Sequence, residues 1–282
     1  MGNTSASASF DPTQTAATGK EMPFDKLALL GIDVGYSRSR PTTGLAWSIG
    51  DDCGAARTHT DWERRQRHIP ASTTFAVIAI DGPLTPPDAP DDLDRLCERL
   101  FTRGAFQKRC KPGLSQHGYG RALRKAAAET AAQVSHLADT TPIGKAIIPG
   151  TAIIEAFPNA FLGVLLEDER FAMSKAARRK KFDWLYDHAV EAGVFETLLG
   201  YVGWRNECLL QKIMAEYDHE RRAAWICLLT AACAAVGKSE AVGDEAGGWI
   251  WLPSAELWAA WARNGLAGNR AAVSARSSQA PV

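Results

Sequence analysis

Short, dense apolar runs stopped by turn residues alternate along the chain with longer stretches in which apolar residues recur at helical spacing. Leu27 to Asp33 is apolar until it ends in Asp, with Gly35 beyond, the mark of a buried strand that delivers a carboxylate at its C-terminal end. Thr43 to Ser48 predicts a second strand. The segment between them, Tyr36 to Thr42, is short enough for a hairpin, so these two strands are expected to be antiparallel neighbours. A third strand is expected around Thr58 to Trp62. Phe75 to Asp81, FAVIAID, is the clearest strand, apolar up to its final Asp and stopped by Gly82 and Pro83. A Pro-rich loop, Thr85 to Pro90, leads to helical patterns at Asp92 to Arg103 and Arg121 to Ala138, with a basic, Gly-containing loop from Gly104 to Gly120 between them. Ala152 to Phe157 is again strand-like, apolar except for Glu155, and Pro158 closes it before a helix from Asn159 to Leu166. Further helices are predicted at Ser174 to Ala192 and Asp218 to Val236, followed by the Trp-rich stretch Gly247 to Trp261.

This order of strands and helices predicts an α/β domain over residues 25–264. The Ser-, Thr-, Ala- and Gly-rich residues 1–24 and the similar residues 265–282 are expected to be tails. A hydrophobic fraction of 46% in 282 residues excludes a disordered or fibrous chain. Lys plus Arg and Asp plus Glu both number 32, so any polyanion would have to be held by local clusters and not by net charge. The six cysteines show no C-x-x-C pair and no zinc-ligand spacing, which reads as packed, reduced thiols. Without a signal-peptide pattern or an apolar run long enough to span a bilayer, the expectation is a cytoplasmic protein that does not enter membranes.

Three of the apolar runs carry an acid at or near the C-terminal end: Asp33, Asp81 and Glu155. Ligands of open α/β sheets bind at that edge, so one shared site is the economical inference. Carboxylates gathered there are costly unless neutralised, and an all-oxygen ligand set favours Mg²⁺ or Mn²⁺. The bland alternative is that each acid caps a turn. Glu220, at the start of an apolar helix, is the fourth candidate, although acids are also favoured there by the helix dipole.

The segments GIDVGYS...TGLA (Gly31 to Ala46), AIDGPL (Ala79 to Leu84), RLCERL (Arg95 to Leu100), IEAFP (Ile154 to Pro158) and HERRAAWICLLTA (His219 to Ala231) resemble, in the same order, a family of RNase H-like nucleases otherwise known as a domain of unknown function. The resemblance spans about Leu27 to Pro253. It implies an RNase H-like mixed five-stranded sheet flanked by helices, with a helical insertion, and a metal-dependent nuclease in which Asp33, Asp81, Glu155 and Glu220 are the metal ligands and catalytic acids. Many relatives read Asp-x-x-Asp-Ala in the final helix. Here the aligned positions are Glu220 and Ala223, which puts a full two-metal site in question.

Arg38, Arg40, Ser37 and Arg95 are the candidate substrate contacts, with nucleic acid as the expected partner. Further basic groups are Lys108, Arg109, Lys111 and the run Arg178 to Lys181, the last reading better as a solvated helix face. His117 or His219 could assist proton transfer. Trp249, Trp251, Trp258 and Trp261 offer stacking surfaces but sit among apolar neighbours, which favours core packing. Two other readings stand beside the nuclease. An actin-like or sugar-kinase-type nucleotide-binding protein would use Asp33, Gly35, Ser37, Thr43 and Gly44, with Gly243 to Gly248 as a second phosphate loop. A non-catalytic RNase H-like binding module would keep the fold with a degenerate site.

Overall fold

The computed structural model describes residues 24–37, 39–140, 145–146, 148, 150–171 and 181–277. Among these, seven strands form one mixed sheet: β1 (Ala28–Asp33), β2 (Thr43–Ile49), β3 (Asp52–Thr58), β4 (Val77–Asp81), β5 (Ile153–Ala156), β6 (Ser239–Asp244) and β7 (Gly248–Pro253). Their order across the sheet is β3-β2-β1-β4-β5-β7-β6. The first three make an antiparallel meander, while β1, β4, β5 and β7 run parallel and β6 closes the far edge antiparallel to β7. The tight turn between β2 and β3 is made at Gly50, whose φ of 57° suits a residue without a Cβ.

The sheet has two strands more than the expected five. The additional hairpin is β6–β7. Only Val242 of β6 is buried, so that strand shows no apolar alternation, and β7 lies inside the Trp-rich stretch. The third strand precedes its expected place at Thr58 to Trp62 for the same reason: only Cys53 and Thr58 of β3 are buried.

Helices cover both faces. Between β3 and β4 lies a short helix, α1 (Trp62–Arg65). Between β4 and β5 come α2 (Leu96–Phe101), α3 (Gly104–Arg109) and α4 (Gly118–Val134). After β5 follow α5 (Pro158–Leu165), α6 (Lys181–Glu191), α7 (Val194–Val202), α8 (Glu207–Met214) and α9 (His219–Ala235). On one face Leu30, Ile32, Ile78, Ile80 and Ile153 pack with Ala127, Ala131 and Val134 of α4. On the other, Leu29, Ala79 and Ile154 join the larger core with Trp225 and Leu228 of α9. Residues Ala223 to Ala234 of α9 are buried without interruption, so this is a central helix with no solvated stripe.

Of the residues 265–282 expected as a tail, 265–277 continue a helix, α10 (Ala260–Ser277). Leu266 and Val273, seven apart, are buried, and Asn269 Nδ2 donates to the Leu100 carbonyl at 2.7 Å. The Ala- and Ser-rich composition hides that stripe. The expected N-terminal tail lies outside the described residues except for Phe24, whose ring stacks on Trp204 with centroids 4.6 Å apart. The expected helix at Ser174 to Ala192 is described from Lys181 onward. No helix among the described residues is long and apolar enough to cross a membrane.

Candidate functional site

One row of register partners crosses three strand pairs at the C-terminal end of β1: Arg57 of β3, Gly44 of β2, Asp33 of β1 and Asp81 of β4. Partners directly opposite one another share a sheet face. Asp33 alternates with Gly31 and Leu29, and Asp81 with Ala79 and Val77, so the row faces α9. The glycines let that helix approach. A Cβ on Gly31 would lie 2.2 Å from the Leu228 nitrogen, and one on Gly44 would lie 1.9 Å from the Glu220 carbonyl oxygen. The backbone of Glu220 therefore fills the slot that Gly44 leaves between Arg57 and Asp33.

The start of α9 is tied to the same row. Asp218 caps the helix through Oδ1, which accepts from the Arg221 N–H at 3.1 Å, and its Oδ2 lies 3.2 Å from Arg57. A second Arg57 nitrogen lies 3.1 Å from Glu220 Oε1, and Arg57 Nε donates to the Pro41 carbonyl at 2.5 Å. Arg57 carries no signal in the sequence, because β3 offers no apolar pattern to align it with the acids.

The two strand-end aspartates strongly favour a positive neighbour. Burial, and then the charges of Asp81, Glu220 and Asp218, push the Asp33 carboxyl well above the usual carboxylate range. Burial, with the charge of Glu155 second, pushes Asp81 up to about 7. The Cys227 thiol, two turns along α9 from Glu220, is pushed up by burial and then by these same two carboxylates.

Glu155 does not join them. Its register partner is Ile80, and Asp81 pairs instead with Ala156. That offset of one residue turns the Glu155 side chain to the opposite face of the sheet. There Arg95, 1% exposed, meets it at 2.5 and 3.1 Å, and the Leu84 N–H donates to it at 2.7 Å. Burial raises Glu155 to about 7, with Arg95 and the Leu84 N–H acting against it. Burial also opposes the Arg95 charge, but its neighbours, Glu155 foremost and Glu98 among them, together outweigh that and hold the guanidinium above its ordinary value. Arg95 further binds Glu98 at 3.2 Å and the Gly247 carbonyl at 2.6 Å. Expected as a substrate contact, Arg95 is instead a buried brace joining α2, β5 and the β6–β7 turn. A cleft of about 70 Å³ is lined by Asp81 as well as by this pair. Among the described residues no group of three or more His, Cys, Asp and Glu side chains is arranged to hold a metal ion.

Of the other candidates, Ser37 accepts from the Arg40 N–H at 3.2 Å in the exposed β1–β2 loop, and Arg38 lies outside the described residues. His219 Nδ1 lies 2.9 Å from Asp183 Oδ1 and is engaged with α6, away from the row. His117 is exposed at the start of α4. Arg109 packs over Phe171 and Trp261 and contacts Asp168, so it is taken up in local structure, while Lys108 and Lys111 are exposed. Of the run Arg178 to Lys181 only Lys181 is described, donating to the Lys108 carbonyl at 2.8 Å. Trp251 and Trp258 are buried, and Trp258 and Trp261 donate their indole N–H to the Pro253 and Leu166 carbonyls, which is core packing. Cys208 is exposed and the other five thiols are buried. Gly243 to Gly248 is the β6–β7 turn, closed by Asp244 accepting from the Gly247 N–H at 2.7 Å. Comparison with protein-family models, with curated proteins and with solved structures finds no match for this chain.

Proposed function

We propose that the chain is an RNase H-like, metal-dependent phosphodiesterase acting on nucleic acid, with Asp33 and Asp81 as the metal-holding pair. The observation that carries this is their register: two carboxylates at the C-terminal ends of adjacent parallel strands, each driven by burial toward needing a proton or a cation. The strand order β3-β2-β1-β4-β5 at the core of the sheet supports the RNase H-like reading.

The residues fit a single hard cation better than the four-carboxylate cage expected from the sequence. Mg²⁺ and Mn²⁺ are commonly held by one or two carboxylates, with water and substrate phosphate completing the set. Asp33 and Asp81 supply that pair. Glu155 is committed to Arg95, and Ala223 offers no ligand. Such an ion, when bound, supplies charge stabilisation at the phosphoryl oxygens. Arg57 neutralises part of the acid cluster and fixes Glu220 through Oε1. Glu220 Oε2 is the acceptor we assign to the proton of the attacking water.

Arg57 also supports the second reading, a non-catalytic RNase H-like binding module, since it already compensates Glu220 and Asp218. The nucleotide-binding reading loses its second loop, because Gly243 to Gly248 is a closed hairpin turn. Calorimetric titration with Mn²⁺, followed by a cleavage screen on single-stranded, duplex and hybrid substrates, separates enzyme from module. Metal-dependent cleavage abolished by Asp81→Asn is the expected result. Binding of nucleic acid with no cleavage by the wild type would favour the module.

A further inference from the structure

Across the sheet from the carboxylate row, the loop that follows Asp33 borders a second cleft of about 220 Å³. Gly35, Tyr36, Arg65, Lys125 and Thr130 contribute to its walls. Arg65 is 1% exposed and makes no ion pair among the described residues. Its Nη1 donates to Thr130 Oγ1 at 3.0 Å and Gln133 Oε1 at 2.8 Å, and its Nη2 to Thr43 Oγ1 at 3.4 Å. Those acceptors are all neutral, and the buried Nε has no partner. Burial opposes the charge of this guanidinium and only the more distant Asp61 supports it, a costly arrangement that an incoming anion would relieve. Lys125 adds a second, exposed positive charge. Glu129 is the one acid among the described residues of the wall and is open to solvent.

One aromatic ring, Tyr36, lines this cleft, and a second, Tyr119, stands beside it. Tyr36 is 54% exposed and Tyr119, at the start of α4, is 81% exposed. Their rings face one another with centroids 6.5 Å apart and planes inclined by 34°. Neither ring is needed by the core. The cleft is also smaller than the roughly 300–1,000 Å³ of pockets that enclose drug-sized ligands, which suits one unit of a longer chain.

We propose that this cleft holds one backbone phosphate of a single-stranded nucleic acid at Arg65 and Lys125, with an adjacent base stacked on Tyr36 and Tyr119. Stacking of this kind needs a base free of its duplex, which selects single strands. The inference rests on the phosphodiesterase reading of the carboxylate row, to which Val34 and Gly35, the two residues between Asp33 and Tyr36, connect it directly.

The test is fluorescence anisotropy of a short labelled oligothymidylate and of its duplex in chelator, with the full chain, Tyr36→Ala/Tyr119→Ala, Lys125→Ala and Arg65→Gln. The wild type is expected to bind the single strand more tightly than the duplex. The tyrosine double variant should bind roughly five- to 150-fold more weakly for each base it no longer stacks. Lys125→Ala should lower the slope of affinity against salt by about one ion. Arg65→Gln should weaken binding too. Should that variant misfold by circular dichroism, the three surface substitutions still decide. Unchanged binding by the tyrosine double variant, preference for the duplex, or no binding by the wild type would overturn the proposal. Binding with the expected pattern but no metal-dependent cleavage would leave this subsite standing and remove the hydrolytic reading; cleavage without that pattern would do the reverse.

Discussion

Gly44 and Glu220 are packed so closely that a single methyl group at position 44 would occupy the place of the Glu220 carbonyl oxygen, 1.9 Å away. Because Gly44 is the register partner of Asp33, this contact sets how near the start of α9 comes to the carboxylate pair. Gly44→Ala is therefore expected to lower stability by about 1–3 kcal/mol through overpacking. Metal affinity should fall with it, as the negative charge of Glu220 is moved away from the carboxylate pair. Denaturant unfolding and Mn²⁺ titration of the same preparation check both parts; a variant as stable as the wild type would show that α9 is free to shift.

Asp81 gives a pH dependence with a definite sign. Its carboxyl rises from the ordinary 3.8 to about 7 on folding, chiefly by burial and next by the charge of Glu155. Between those values the folded state holds the proton more tightly than the unfolded chain, so stability falls as pH rises through the window and levels off above it. Asp81→Asn has no such loss. In chelator its stability relative to wild type should climb across that window, by at most about 1.4 kcal/mol per pH unit. Saturating Mn²⁺ should then favour the wild type, adding about 2.7 kcal/mol at a hundredfold excess over Kd. Parallel curves for the two proteins from pH 4 to 7 would mean that Asp81 titrates normally.

Much of the architecture is legible in the sequence where strands are buried on both faces. FAVIAID and the run ending in Asp33 place β4 and β1 well, because a continuous apolar run of strand length that ends in Asp, with a glycine one or two residues beyond, fits a buried strand. The same property conceals the orientation of Glu155. In AIIEAF neither face is polar, so alternation is invisible, and only the pairing of Ile80 with Glu155 reveals which side the acid takes. Polar edge strands are the hardest to read: β3 lies ahead of its expected place and β6 leaves no trace, since each buries too few side chains to make a pattern. Arg65 gives no signal either, because one Arg of the polar, basic segment Glu63 to His68 resembles any exposed helix end.

The Glu155–Arg95 pair is structural. Glu155→Ala leaves a buried guanidinium without its partner, and loss of about 3–5 kcal/mol is expected. At temperatures where the variant stays folded, Mn²⁺ should bind with wild-type stoichiometry. Loss of binding with unchanged thermal stability would restore Glu155 to the ligand set.

Arg57 competes with any cation for the acid cluster. At 40% side-chain exposure its ion pairs contribute little, so Arg57→Gln should change stability by less than about 1 kcal/mol. Mn²⁺ affinity should rise severalfold as a neighbouring positive charge is removed. Titration calorimetry reads this directly, and weaker binding in the variant would mean that Arg57 assists the site by orienting Glu220.

The most direct measurement is calorimetric titration of Mn²⁺ into the wild type, Asp33→Asn and Asp81→Asn, with thermal unfolding run alongside. One ion bound by the wild type, and none by either folded variant, is the result expected if the register pair Asp33 and Asp81 holds the metal. Equal binding by all three proteins would contradict it and leave the two aspartates as half-buried strand ends without a metal.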